Sequence, residues 1–491
     1  MKLSTAEIEN AIVHVQQDLK DDFWPDIVAY EDLFSGSGLV SKLKSGHTVK
    51  TINSFDIPKP TLVLRPGHFI TLPDRVYYQV LVNRFAKKVD KKMVSRDISF
   101  SHRTGTGTKF LINFFKGWEA YNDKQNMLFK KNPTGLMLCT DLTAFFEHIQ
   151  IKILIKTLRS LNVDKEICDA LSHTLNTWTV NEIGIPQGND TSSFLANVYL
   201  DEIDKGMLEA GFKYFRYMDD IRVYCKTEDE CHDALIKITQ LLRDRNLHLS
   251  GGKTKILDKS SYYEETQVNE RLMQAINYNV HIYGLLRKKV TLRNLKKIWK
   301  EQVIQNFNKT TFRFCVNRFR DLQTDFPLQS ILNHDFFGAS NIDVVSKYLI
   351  QFISRKKVQE KLISKFLRTP YLYEKIIILK TLLHLDKEKF LKKKYFNVSS
   401  FNKSLIYGSN NFLLIGYFFV FSSKFGSEGT QRNLREDFNG RFNDDERIAR
   451  YYLYALNFHN LEVRKSETSR LLRVFRNLQG VSEFDLSRVG I

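Results

Sequence analysis

The chain has 491 residues, which is enough for two or three domains and a large core. Its 74 basic and 55 acidic side chains give a formal net charge of +19 at pH 7 and a pI near 9.4. This charge favours a polyanionic partner such as nucleic acid, although a membrane surface or solubility alone would also account for it.

The sequence argues against a membrane protein and against a secreted one. The most apolar window, residues 412–421, is about half the length that a membrane-spanning helix requires, so we expect a buried helix there. The N-terminus carries acidic residues early and lacks an apolar signal core. The five cysteines contain no Cys-x-x-Cys pair, which is unlike a zinc site or a disulfide framework. We therefore expect free thiols and a cytoplasmic protein.

Residues 1–55 are predicted to form an N-terminal helical extension. Ser4 can cap a helix, with Glu7 at the position that completes a capping box. The apolar side chains that follow share one helical face: Ile8, Ala11, Ile12, Val15 and Leu19. We expect this face to pack against the rest of the chain or against a neighbouring subunit.

Residues 56–135 combine short strands with a helix. Prolines between residues 58 and 73 interrupt the strands, and a helix is predicted at about 74–88. The glycine-rich segment 104–109 is similar to a phosphate-binding loop but lacks the complete Walker or dinucleotide spacing, which favours an ordinary loop.

Three motifs follow in order along the next part of the chain. An apolar strand ends at Asp141 and is followed by Phe145 and Phe146. A Gly-Ile-Pro-Gln-Gly loop at 184–188 leads into an apolar helix. At 217–220, Tyr-Met-Asp-Asp lies between two runs rich in aromatic and β-branched residues, which predicts a hairpin with the acidic pair near its turn.

The adjacent carboxylates of Asp219 and Asp220 indicate a metal site. Two anions side by side at a strand turn are unfavourable unless a cation neutralises them, and Mg²⁺ prefers such oxygen ligands. The alternative is a solvated hairpin turn, where Asp is common.

This ordered set of motifs resembles the palm of reverse transcriptases. In that family a strand carries Asp and a paired Phe, a Gly-x-Pro-Gln-Gly loop enters a helix, and a Tyr-x-Asp-Asp hairpin follows. The resemblance covers residues 56–290 and implies an α+β fold, with the fingers of a right-hand polymerase at 56–135. The palm, an antiparallel sheet with helices, would occupy 136–290. The resemblance also implies an RNA-directed DNA polymerase that uses deoxynucleoside triphosphates and binds RNA or DNA.

A two-metal active site is implied by the same resemblance. Asp141 and Asp219 would hold two Mg²⁺ ions, for which Mn²⁺ can substitute, and Asp220 would support the same site. One metal lowers the pKa of the primer hydroxyl, and the other stabilises the leaving pyrophosphate. These three Asp residues are the predicted catalytic and metal-binding residues.

The nucleotide pocket is assigned from the family motifs. A bulky aromatic at Phe146 would reject ribonucleotides at the sugar 2′ side, whereas its neighbour Phe145 is better explained as a core residue. Gln187 would lie against the nascent base pair and the template strand. Gly184 and Gly188 would permit close backbone approach there.

Residues near the primer end and the pyrophosphate are assigned in the same way. Tyr217 and Met218 flank the acidic pair and would lie near the primer end. Lys253 matches the lysine of the family's next palm motif, which approaches the departing pyrophosphate, and Lys255 is a competing register. Residues 281–286 match the primer-grip hairpin weakly.

Arg65 and Arg103 are the candidates for holding the triphosphate or the template in the fingers. The guanidinium fork suits this role because it can bind phosphate oxygens in pairs. The alternative for either residue is a surface ion pair.

Residues 291–491 are predicted to form an all-α C-terminal domain in place of a conventional thumb. Amphipathic helices rich in Leu, Ile, Phe and Lys suit an α-solenoid of the HEAT-like kind, although no exact repeat period is visible. Examples lie at 344–352, 375–385 and 444–456. Basic runs at 355–357 and 392–394 are either nucleic-acid contacts or solvated helix faces.

A polymerase core followed by a long helical domain is most similar to bacterial abortive-infection and other defence-associated reverse transcriptases. That resemblance implies antiviral defence, a homo-oligomer, and DNA synthesis that is protein-primed from a tyrosine or template-independent. A dedicated non-coding RNA is one candidate partner. Two alternatives remain: a retron or group II intron-like enzyme that copies a specific RNA, and a catalytically idle RNA-binding scaffold. A recognisable RNA-binding thumb would favour the first, and intact Asp141, Asp219 and Asp220 argue against the second.

Overall fold

A computed structural model describes residues 2–21, 38–59, 63–267, 288–333, 336–338, 340–386, 389–390, 411–426, 428–442 and 445–457. Two predictions lie outside these residues: the primer-grip match at 281–286 and the basic run at 392–394.

The first 267 residues contain eleven described helices and six described strands. The helices are α1 (Thr5–Asp21), α2 (Gly38–Lys44), α3 (Leu72–Asn83), α4 (Ala86–Asp90), α5 (Phe114–Lys131), α6 (Phe145–His148), α7 (Ile151–Ser160), α8 (Lys165–Trp178), α9 (Asp190–Glu209), α10 (Glu228–Arg243) and α11 (Lys259–Gln267). The strands are β1 (Asn53–Pro58), β2 (Leu64–Phe69), β3 (Leu136–Asp141), β4 (Lys213–Tyr217), β5 (Asp220–Cys225) and β6 (Lys255–Leu257). Side chains that accept backbone N–H bonds begin several of the helices, among them Thr71, Asn113, Asn189 and Thr227.

The described residues fall into two compact units, and the four-segment division stays a prediction. Unit 1 lies within Met1–Asp22, Gly36–Ser54 and Gly67–Val268, and unit 2 lies within Phe23–Ser35, Phe55–Pro66 and Asn269–Ile491. Most of the predicted N-terminal extension, fingers and palm therefore share one unit. The reason is packing, since α1 contacts α3, and α3 contacts the palm helix α9.

The N-terminal helix forms as predicted. The Ser4 hydroxyl accepts the Glu7 N–H at 3.3 Å, and the Glu7 carboxylate accepts the Ser4 N–H at 2.9 Å, which completes the capping box. Ile8, Ala11 and Val15 are buried. The apolar face of α1 thus packs within the same chain.

A four-stranded antiparallel sheet lies at the centre of unit 1, as predicted for the palm. Its strand order is β4-β5-β3-β6, and every neighbouring pair is antiparallel. β1 and β2 form a separate two-stranded sheet.

The two faces of the central sheet belong to different clusters of buried side chains. Ile221 and Val223 of β5 face a large aliphatic core built with α7, α8, α9 and α10. Tyr224 of β5 and Phe215 of β4 face an aromatic cluster built with α5 and α11. Because side chains alternate along a strand, Asp220 and Arg222 also face the aromatic cluster.

Unit 2 is helical in its described residues beyond 288. The helices are α12 (Lys288–Trp299), α13 (Lys309–Asp321), α14 (Leu328–Asn333), α15 (Ile342–Leu349), α16 (Lys356–Arg368), α17 (Leu372–Leu382), α18 (Phe412–Phe425), α19 (Glu428–Asp437) and α20 (Glu446–Asn457). These helices pack against one another, with α13 against α15, α15 against α17, and α17 against α18. The predicted helical content is confirmed here, whereas the HEAT-like repeat stays a prediction.

The apolar window at 412–421 lies in α18 and is buried throughout, as expected. No helix in the described part of the chain is long and apolar enough to cross a bilayer. All five cysteines are described and buried, and no disulfide joins any two of them.

Candidate active site

The Tyr217–Asp220 segment forms the predicted hairpin between β4 and β5. Tyr217 pairs with Asp220 across the strands, so the turn has two central residues, Met218 and Asp219. Met218 has a φ of 55°. Primed hairpin turns use such a positive φ, and a residue other than glycine adopts it at a cost of about 1–3 kcal/mol. A turn of this kind persists only if its surroundings hold it.

The backbone N–H and carbonyl of Met218 are both held by buried side chains. The Met218 N–H donates to the hydroxyl of Ser101 at 2.8 Å. The Arg216 guanidinium donates to the Met218 carbonyl at 3.3 Å. Ser101 and Arg216 are both buried. These two contacts fix the turn that carries Asp219.

Arg216 belongs to a fully buried ionic network that the sequence analysis missed. Its guanidinium donates to both carboxylate oxygens of Asp204 at 2.7 Å and to the side-chain oxygen of Asn197 at 2.6 Å. Tyr214 donates a further hydrogen bond to Asp204 at 2.8 Å. These bonds offset the cost of removing the charges from water. The visible signal was an arginine between aromatic residues in a buried strand.

Asp141, Asp219 and Asp220 lie together at one corner of the sheet. Asp141 ends β3 and pairs directly with Asp220 at the start of β5, so the two side chains share one face. Asp219 occupies the adjoining turn. Burial, and secondly the charge of Asp141, raise the pKa of Asp219 to about 6. Burial also raises the pKa of Asp220.

Two cationic side chains neutralise part of the negative charge of these carboxylates. The Lys253 Nζ lies 2.7 Å from Asp141, and Arg222 donates two hydrogen bonds to Asp220. Arg222 also lies over the ring of Tyr121, whose hydroxyl donates to the Asp220 carbonyl at 3.1 Å. Within the described ranges, no three His, Cys, Asp or Glu side chains are arranged as a ready metal site. Instead, two of the carboxylates are oriented toward these cations.

The donor set at this corner nevertheless fits a hard divalent cation. Three carboxylates supply charged oxygen atoms, which are the ligands that Mg²⁺ prefers. The raised pKa values of Asp219 and Asp220 indicate that ionising these groups together costs free energy. A cation would offset that cost. Asp141 and Asp219, supported by Asp220, are therefore the residues that would hold the metal.

Lys253 contacts this corner directly. Lys253 ends the 3₁₀ turn Gly251–Lys253 and pairs with Asp141. Lys255 belongs to β6, where it lies opposite Cys139. The geometry favours Lys253 over the competing register.

Phe145 and Phe146 begin the short helix α6 soon after β3. Phe145 is buried in the aliphatic core, as expected, whereas Phe146 is half-buried and packs against the edge of that core. The carbonyl of Phe146 accepts the N–H of Ile185 at 2.9 Å. This bond docks the 184–188 loop onto α6, so Phe146 and the loop form one local structure.

A helix cap that the sequence analysis missed closes the same loop. The Asn189 side chain donates to the Pro186 carbonyl at 3.1 Å and accepts the Ser192 N–H at 2.8 Å. One amide therefore fixes the loop and begins α9. Gln187 lies inside this closed loop and is half-buried.

The two glycines of the loop are required for different reasons. Gly184 has a φ of 92°, and a Cβ there would lie 3.3 Å from the Glu147 carbonyl oxygen, so glycine is required by both its backbone conformation and its packing, while the close approach to a template stays a prediction. Gly188 has a φ of 93°, but no described atom lies within 4 Å of the position of its Cβ. At Gly188 only the backbone conformation requires glycine.

Tyr217 and Met218 are packed side chains. The Tyr217 hydroxyl donates to the Phe114 carbonyl at 3.3 Å, and its ring centroid lies 5.1 Å from that of Trp118. Both Tyr217 and Met218 are buried. Their nearness to a primer end stays a prediction.

The structure argues against the predicted phosphate contact of Arg103. This side chain is buried and donates to the Asp90 carboxylate at 2.5 Å, to the Asp90 carbonyl at 2.7 Å and to the Val94 carbonyl at 2.8 Å. Arg103 therefore forms a structural ion pair with Asp90. This pair is buried, whereas the alternative considered from the sequence was an ion pair on the surface. Arg65 is exposed and lies in the Phe55–Pro66 segment of unit 2, so the geometry of unit 1 does not bear on it.

The sequence comparison agrees with this geometry. Residues 57–272 match the family model described as reverse transcriptase (RNA-dependent DNA polymerase). Residues 57–272 are a reverse transcriptase domain. The domain covers less than half of the chain and indicates an RNA-directed DNA polymerase, which is a nucleotidyltransferase. No curated protein matches the chain.

Three solved structures are similar to this chain. Telomerase from Candida albicans in complex with the TWJ fragment of telomeric RNA has 11% identity and a TM-score of 0.33, over 70% of this chain and 65% of that chain. A partial Cas6-RT-Cas1–Cas2 complex has 20% identity and a TM-score of 0.27, over 49% and 40%. Apo telomerase from Candida tropicalis has 13% identity and a TM-score of 0.32, over 88% and 70%. This chain thus covers less than two thirds of the length of the matched chain in the first two structures.

Proposed function

We propose that the reverse transcriptase domain synthesises DNA by adding deoxynucleotides to a hydroxyl group with the help of divalent metal ions. The observation that supports this most is the corner of three carboxylates, in which Asp141 lies opposite Asp220 and Asp219 occupies the adjoining turn. Two bound Mg²⁺ ions would lower the pKa of the attacking hydroxyl and neutralise the leaving pyrophosphate. Mn²⁺ would have the same ligand preference for these oxygens.

The side chains around the corner would orient the nucleotide. Lys253, which contacts Asp141, would exchange that carboxylate for the phosphates of the incoming nucleotide once a metal neutralises Asp141. Phe146 would lie at the sugar and exclude a 2′-hydroxyl, and Gln187, in the loop docked on Phe146, would lie against the nascent base pair. Arg222 would keep Asp220 in place through its two hydrogen bonds.

The polymerase proposal is tested by incorporation of labelled deoxynucleotides with Mg²⁺ by the purified protein. The Asp219→Asn and Asp220→Asn double variant should lose incorporation while remaining folded by circular dichroism, because it removes two anionic ligands and each asparagine keeps an oxygen that can accept a hydrogen bond. Asp233→Asn, at an exposed position of α10, is the matched control and should be fully active. Retained synthesis by the double variant would refute the metal assignment.

We further propose an antiviral defence role in bacteria, with DNA synthesis primed from a protein hydroxyl or made without a template. The observation that favours it is the long helical region of unit 2 after the polymerase domain. Sequencing the product made with and without copurified RNA tests the template, and protease treatment tests whether the product is attached to protein. A product that copies one copurified RNA would favour the retron-like alternative. Phage plaque counts on cells with wild type or the double variant test defence, and equal counts would refute it.

A further inference from the structure

Three aromatic side chains at the start of α5 are exposed to solvent. Phe114 is 58% exposed, Phe115 76% and Trp118 39%. We call these three residues the α5 aromatic patch. A contiguous group of exposed aromatic rings is unusual on a folded surface and indicates a binding surface.

The patch continues into the catalytic hairpin. The ring centroids of Phe114 and Trp118 lie 5.5 Å and 5.1 Å from that of Tyr217, and the Phe115 centroid lies 5.7 Å from that of Phe114. Tyr217 directly precedes the turn that carries Asp219. The exposed rings therefore begin beside the candidate active site and extend away from it.

The charge at this end of α5 is complementary to phosphate. The first turn of α5 contains no acidic residue, and Lys116 within it is exposed. Lys109 is exposed in the loop that precedes the helix, and the acidic Glu119 and Asp123 come only in later turns. Aromatic faces next to basic side chains are the composition of single-stranded nucleic acid sites, where bases stack and cations meet the backbone.

We propose that the α5 aromatic patch binds unpaired bases of the nucleic acid strand that leads to the catalytic hairpin. This inference rests on the proposed polymerase function and names the surface that holds its strand. Stacking accepts any base, because every base has a π face. The strand is either RNA or DNA, and the two are compared directly in the test.

The test measures binding of oligothymidylate and oligouridylate of about 12 nucleotides, a length within the site sizes of such proteins. No metal or nucleotide is added, so the measurement does not depend on catalysis. Trp118 serves as a reporter because it is exposed, whereas Trp178 and Trp299 are buried and Trp24 lies outside the described residues. Stacking of a base should quench the fluorescence of Trp118, and the Trp118→Phe variant separates this signal from that of Trp24. The quench should be smaller in Trp118→Phe.

Phe115→Ala is the main variant because its ring is the most exposed of the three. Loss of one stacking partner should weaken binding roughly five- to 150-fold, with an unchanged salt dependence. Lys116→Ala should instead reduce the slope of log affinity against log salt by about 0.7. Ile236→Ala, at a position 59% exposed on α10, removes a similarly exposed apolar side chain and should bind like the wild type.

Two results would overturn the inference. One is that Phe115→Ala and Trp118→Phe bind both oligonucleotides as tightly as the wild type does, and that neither oligonucleotide quenches the tryptophan fluorescence of the wild type. The other is a change in oligomeric state by light scattering in Phe115→Ala with unchanged nucleic acid affinity, which would assign the patch to a protein contact. The polymerase proposal and the patch assignment can fail separately. If the wild type is inactive but its binding of oligonucleotides still depends on Phe115, the polymerase proposal fails and the patch assignment stands.

Discussion

Replacing Ser101 with alanine should loosen the turn that carries Asp219. The Ser101 hydroxyl accepts the Met218 N–H at 2.8 Å, and its removal leaves a buried donor without that acceptor, at a cost of about 1–3 kcal/mol. Met218 already has an unfavourable φ of 55°, so the cost falls on the conformation that the turn requires. If all of it falls on the active turn, incorporation decreases roughly five- to 150-fold, since about 1.4 kcal/mol corresponds to a tenfold change in rate.

Ser99 provides the matched control for this experiment. It is buried like Ser101, and its hydroxyl donates to Asn197 at 2.9 Å within the same network, but that bond holds the network and not the turn. Both alanine variants should lower the unfolding free energy by similar amounts. Single-turnover incorporation, measured over a range of Mg²⁺ concentrations, should be slow only in Ser101→Ala, which should also require more Mg²⁺. Equal rates per folded molecule in the two variants would refute a positioning role for the turn contacts.

Two further substitutions test the side chains around the carboxylates. Phe146→Val should raise incorporation of ribonucleotides relative to deoxynucleotides by about 10- to 200-fold, the range for small changes in a pocket, while Phe145→Val should lower stability without changing sugar choice. Equal sugar selectivity in the two variants would remove Phe146 from the pocket. Arg222→Gln should lower the unfolding free energy by about 1.5–3 kcal/mol through its lost bonds to Asp220. Arg222→Gln should also lower incorporation, and Arg222→Lys, which keeps the positive charge, should lower it less. A fully active, fully stable Arg222→Gln would contradict the proposed support of Asp220.

The strand and the hairpin that carry the three acidic residues could be predicted because they depend on local rules, whereas their convergence was implied by the resemblance to reverse transcriptases. An apolar strand that ends in Asp141 and a hairpin that carries Asp219 and Asp220 follow from strand periodicity and turn position alone. The capping box of Ser4 and Glu7 was equally local. Once these elements form, the sheet register brings the acidic residues together.

The partners of the arginines could not be predicted, because they depend on tertiary packing. Arg103 was a reasonable phosphate ligand until the structure placed Asp90 beside it. Arg216 stands in the most informative motif of the chain, yet its partner Asp204 lies on a helix that only the fold brings near. The packing of α1 on α3, which makes α1 part of unit 1, is a similar tertiary effect.

The two faces of the hairpin explain why a buried ionic network lies behind an active site. A slip of one residue in β5 would turn Asp220 toward the aliphatic core and Ile221 toward the aromatic side. A buried ion pair such as Arg216–Asp204 adds little net stability compared with apolar packing, but breaking it is costly. Because Arg216 also holds the Met218 carbonyl, a slip of the whole hairpin, in which β4 moves together with β5, would break that pair and the turn contact together. The network therefore penalises the wrong register more than it stabilises the fold, which is what a corner of three converging carboxylates requires.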